Sequence, residues 1–175
     1  MTLIEMALES YGIDKDKAHP RAIELIPEDF FWSCINELAP FGSDEGDIAL
    51  IDYRAWRSKY KVLSLLACLK WVIEDLAEIN LTDYNENLLD EKLLESQIAD
   101  KNFNDHYHIY VVDVSVMATG FGQLVDEGKI DEEGKPIIQL AIDRQQLWAK
   151  LSKNWVARNE YIGNLNVLDR ALKQA

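Results

Sequence analysis

Four residues within nine positions, Asp105, His106, His108 and Asp113, carry the oxygen and nitrogen donors that zinc, manganese or iron takes. A metal held there would activate water for hydrolysis. Their spacing argues against such a site. In a helix, His106 and His108 point roughly 160 to 200° apart, and neither HxxxH nor HExxH is present. An extended segment would put both on one face. Even then His19 is the only other histidine, so carboxylates would have to complete the shell. The expectation is therefore no metal and no cofactor, with Asp105 capping a helix entrance and the histidines facing water. A metal-dependent hydrolase or small-ligand protein built on residues 105–113 is the alternative.

The Gly-Phe-Gly at 120–122 suggests a phosphate loop, but a dinucleotide fingerprint would need glycine where Val125 stands, and no βαβ pattern surrounds it. No Walker sequence occurs. In GKIDEEGKP, aligning Gly134 with the glycine of a calcium loop puts Lys129 at the first ligand position and Leu140 at the twelfth, both unsuitable. There is no G-x-S-x-G, and Cys34 and Cys68 lie in apolar surroundings with no metal spacing, which predicts buried, reduced thiols. The tryptophans Trp32, Trp56, Trp71, Trp148 and Trp155 stand beside leucines at helical spacing and read as core.

The elements that must hold these residues read as a row of helices. Residues 105–122 admit two patterns. As a strand, Asp113 and Ser115 share one face and Tyr110, Val112, Val114 and Val116 the other, but the pattern ends at Met117. As a helix, Tyr110, Val114, Met117, Ala118, Phe121 and Val125 form a stripe that lasts longer. The helix carries two interior glycines, each costing about 1 kcal/mol relative to alanine, which a closely packed neighbour or a kink would explain. Gly128 then ends the helix, and DEEGKP turns the chain into an antiparallel partner over 136–151.

Elsewhere, Pro20 and Pro27 open helices, the second running to Ala39 before Pro40. FGSDEGD breaks the chain, and Ile48, Ile51, Tyr53, Trp56 and Tyr60 mark the next helix. Residues 62–79 are apolar on nearly every face, as at the centre of a bundle. A helix over 82–99, capped by Thr82 or Asp83, and a final one with Ile162, Leu165, Leu168 and Leu172 complete an all-α, single-domain helical bundle of seven or eight helices. An α+β fold with a short strand or hairpin near 107–116 is the alternative. The 175 residues show no repeat and no linker that would divide them.

Charge sets the functional expectation. The net charge is −13, and residues 1–100 carry nine basic and twenty-one acidic groups against nine and ten in the remainder. Such a field repels nucleic-acid phosphates and anionic membranes and speeds encounter with basic proteins. Two acidic groups are the candidate contacts: Asp44, Glu45 and Asp47, and the face carrying Asp83, Glu86, Asp90, Glu91 and Glu95. The expected function is a non-enzymatic acidic binding protein docking a basic partner. In size and charge it is similar to the small acidic proteins that neutralise bacterial nuclease or pore-forming toxins, a likeness without a shared motif. A subunit with exposed tryptophans at its interface is a third reading. MTLIEMALESYGIDKDK lacks a secretory pattern, and the longest apolar stretch is broken by Ser64, Lys70, Glu74 and Asp75, so a cytoplasmic protein is expected.

Overall fold

In the computed structural model, which describes residues 12–175, the described chain is helical and contains no strand. The amino-terminal pattern discussed above begins in residues 1–11, outside that range. Seven α-helices follow in chain order: α1 Pro20–Leu25, α2 Asp44–Lys59, α3 Leu65–Ala77, α4 Glu91–Ala99, α5 Val112–Glu127, α6 Lys135–Leu151 and α7 Arg158–Gln174. Short 3₁₀ turns join several of them, and a π-helical turn, His106–Val111, leads into α5. One hydrophobic core draws on α1, α2, α3, α5, α6 and α7.

The centre of the fold is α5 rather than residues 62–79. Every residue from Val112 to Val125 is buried, and α5 packs on α2, α3 and α6. The stretch His106–Glu127 is long and apolar enough to cross a membrane, but 94% of its most apolar window is buried inside the fold. The all-apolar helix expected at 62–79 is shorter and one-sided: α3 begins at Leu65, Val62 and Leu63 are exposed, and Trp71 faces out. Gly120 and Gly122 mark close approach rather than a kink. A Cβ at Gly122 would lie 3.1 Å from Leu50 Cδ1 of α2, and one at Gly120 would overlap Ile138 of α6. Gly128, with φ +73°, ends α5 in the left-handed conformation, and α5 and α6 form the expected hairpin.

Two expected helices are interrupted, for one physical reason. After the 3₁₀ turn Asp29–Trp32, Ser33 Oγ accepts from the amides of Ile35 and Asn36, and Asn36 Oδ1 accepts from Leu38 N. Similarly, Asn85 Oδ1 takes the amide of Asn87, and Asp90 Oδ1 takes that of Leu93 to cap α4. These short side chains satisfy backbone donors locally and displace the helical ladder. Cys34 is consequently exposed on the 33–43 loop, correcting its expected burial, whereas Cys68 is buried and its thiol is pushed up to about 12 by that burial.

Polar pairs fix the hairpin against α2 and α3. Arg54 grips Asp126 through two bonds of 2.8 Å, and Glu127 accepts from Tyr53 at 2.5 Å and Arg57 at 2.7 Å. Asp131, in the α5–α6 turn, caps α3 from outside by accepting from Leu65 N at 2.9 Å. Burial alone would raise its pKa, but hydrogen bonds from Lys129, Leu65 and Gln123 hold it below the usual carboxylate range. The folded state thus prefers the ionised form. Its stabilisation is complete above the unfolded carboxylate pKa and fades as pH falls through the lower folded value. Asp131→Ala should cost about 1–2 kcal/mol at neutral pH in urea unfolding, with the difference shrinking in acid.

Candidate functional site

The interruption at residues 33–43 shapes a broad depression on the described surface. The loop lies across the first turn of α2, and between it, the π-turn and the α6–α7 connection opens a cleft of about 690 Å³. Its polar wall comes from Glu37 on the loop and from Asp44 and Glu45, which follow the cap residue Ser43. Its other wall is aromatic: His106, Tyr110, Trp148 and Trp155. His106 stacks on Tyr110 at 5.0 Å, Tyr110 lies 5.8 Å from Trp148, and Trp148 lies 5.6 Å from Trp155.

Each wall is held in place. Tyr110 donates its hydroxyl to the Glu37 carbonyl at 3.0 Å, tying the loop to the π-turn. Burial, reinforced by the charges of Glu45 and Glu37, raises the Tyr110 phenol and keeps it a neutral donor. Trp148 Nε1 donates to Asp105 Oδ2 at 3.1 Å. The carboxylates of Asp44 and Glu45 are favoured by the α2 dipole. Among the described residues, none of Glu37, Asp44 and Glu45 has an ion-pair partner. A cleft lined by both carboxylates and aromatic rings is suited to a cation, because ring quadrupoles and negative charge both favour it.

No family model, curated protein or solved structure matches the chain.

The cleft brings together parts of two predicted groups. Asp44 and Glu45 line it, and Asp47 does not. The second acidic group remains apart. Asp83 borders a shallow basin with Glu74 and Glu78, Asp90 is spent on capping α4, and Glu86, Glu91 and Glu95 are exposed. The candidate metal donors are dispersed. His106 faces the cleft, His108 packs beside Phe103 and Tyr107, Asp105 holds Trp148, and Asp113 is buried. Among the described residues, no group of three His, Cys, Asp or Glu side chains could hold a metal ion. The helix-entrance cap expected of Asp105 comes instead from Asn104, whose Oδ1 accepts from Tyr107 N.

Asp113 belongs to a closed network. Its Oδ1 accepts from Tyr84 at 2.6 Å and Arg144 Nη2 at 2.6 Å, and its Oδ2 from Arg144 Nε at 2.8 Å and Gln145 at 2.8 Å. Arg144 and Gln145 also donate to the carbonyls of His108 and Ile109, both within the π-turn, and Tyr161 donates to Gln145. The network therefore stabilises the wide turn that aims His106 and Tyr110 into the cleft. Sequence reasoning missed Arg144, Gln145, Tyr84, Trp148 and Trp155 as partners of the site. The one available signal was polar: the run Asp143, Arg144, Gln145 and Gln146 is too long to lie on the outer face of one helix alone.

Proposed function

We propose that the chain is a non-enzymatic binding protein, of the inhibitor or immunity type, that docks a basic protein partner by receiving a lysine or arginine side chain in the cleft. The observation that carries this reading is the juxtaposition of Glu37, Asp44 and Glu45 with Trp148, Trp155 and Tyr110, with no internal cation answering the carboxylates among the described residues. Arginine and lysine fit such a site through charge and through the ring faces together.

The test is capture of a partner by the tagged chain at low and high salt, with two charge-reversed variants alongside. A basic protein retained near stoichiometry should weaken as salt screens the contact. Asp44→Lys with Glu45→Lys should reduce retention at least about a hundredfold, as for loss of a central charged anchor. Glu91→Lys with Glu95→Lys, which spares the Asp90 cap, should change it less than about threefold. The reverse pattern would move the docking surface to α4.

A further inference from the structure

Glu45 borders a second depression. Between α2 and α3 runs a groove of about 130 Å³, with Ala49, Val72, Leu76 and Val111 among its apolar lining. Ile48 and Trp71 stand at its mouth, 57% and 44% exposed, both large apolar residues left in water. Asp52 on α2 and Asp75 on α3 complete the rim. Partial burial, together with the Asp75 charge, raises the Asp52 carboxyl above its ordinary range. Among the described residues no lysine or arginine pairs with either carboxylate. The groove thus has the volume of one large apolar side chain and a rim of unanswered negative charge.

We propose that this groove is a docking pocket for an apolar side chain from the same basic partner segment whose cation fills the cleft, with further lysine or arginine residues of that segment facing Asp52 and Asp75. This rests on the reading of the cleft as the basic-partner site. Charge complementarity selects the occupant. A second copy of this chain carries the same net charge of −13, and an anionic lipid surface is repelled for the same reason. An uncharged apolar ligand would desolvate the two carboxylates without compensating them. An amphipathic basic segment satisfies both floor and rim, and an exposed tryptophan at the mouth is the residue type that most often anchors such contacts.

The probe is a synthetic peptide with leucines at i, i+3, i+4 and i+7 and lysines elsewhere, beside an oligolysine and a leucine–glutamine peptide of the same length. Indole NMR signals of the full chain, assigned by single Trp→Phe variants, report each site. The leucine–lysine peptide should shift Trp71 together with Trp148 and Trp155, and oligolysine only the latter two. Trp71→Ala, Ile48→Ser and the pair Asp52→Asn with Asp75→Asn should each weaken the leucine–lysine peptide about tenfold and change oligolysine by less than about threefold. Three variants at exposed positions guard against one that perturbs the fold. Unchanged affinity in all three, or equal binding of the leucine–glutamine peptide, would overturn the groove assignment while the cleft stands. A peptide that shifts Trp71 alone, insensitive to Glu37→Lys with Asp44→Lys, would overturn the cleft reading and with it a segment that spans both.

Discussion

Arg144→Ala is expected to remove a large share of the protein's stability at room temperature. Arg144 supplies two of the four hydrogen bonds that Asp113 accepts, and Asp113 is 0% exposed. Removing the guanidinium strands a buried carboxylate, a change that costs about 3–5 kcal/mol, against a total of about 5–15 kcal/mol for a domain of this kind. Truncation also uncovers the Tyr84 ring, over which the guanidinium sits at 5.3 Å, and frees the His108 carbonyl in the π-turn. Urea unfolding measures the loss. Asp113→Leu combined with Arg144→Met should recover part of it, because the buried charge is then gone from both sides while the Tyr84 hydroxyl loses its acceptor. A loss below about 1 kcal/mol for Arg144→Ala would mean that water reaches Asp113.

Much of the helical plan was legible because it rests on periodicity. The hairpin of α5 and α6, the stop at Gly128 and the stripe containing Val114, Phe121 and Val125 all follow from the 3.6-residue repeat and from glycine at positive φ. What was not legible depends on partners distant in sequence. Nothing local separates Ser33 and Asn36, which break a helix, from Ser115, which sits within one. The difference is whether packing elsewhere makes the ladder worth keeping. Asp113 looked like a metal donor because its real partners lie on α6 and at Tyr84, 29 or more positions away. The acidic pair Asp44 and Glu45 was visible as charge, but the aromatic wall comes from residues 106–155 and required the fold.

Gly46→Ala should destabilise the protein although alanine is the better helix former. Gly46 lies in the first turn of α2, where propensity alone predicts a gain of up to about 1 kcal/mol. A Cβ there would overlap the Pro40 carbonyl oxygen and lie 2.8 Å from the Pro40 carbonyl carbon and 3.3 Å from Phe41 Cα. These are backbone atoms with no rotamer to yield, and their loop is pinned from the other side. Tyr110 bonds the Glu37 carbonyl, and Asn164 donates to the Leu38 carbonyl at 3.2 Å. Either those anchors break or the start of α2 shifts, so a net loss of about 1–3 kcal/mol is expected. Gly163→Ala on α7, where nothing lies within 4 Å of the new methyl group, should instead stabilise by up to about 1 kcal/mol, which isolates propensity from packing. The loop displaced by Gly46→Ala carries Glu37, so the variant should also lose affinity for a basic partner without touching it, and the Trp148 and Trp155 indole signals should move. If Gly46→Ala behaved like Gly163→Ala, the 33–43 loop would not be seated on α2, and the acidic wall would lack the rigidity that a site for a single cationic side chain requires.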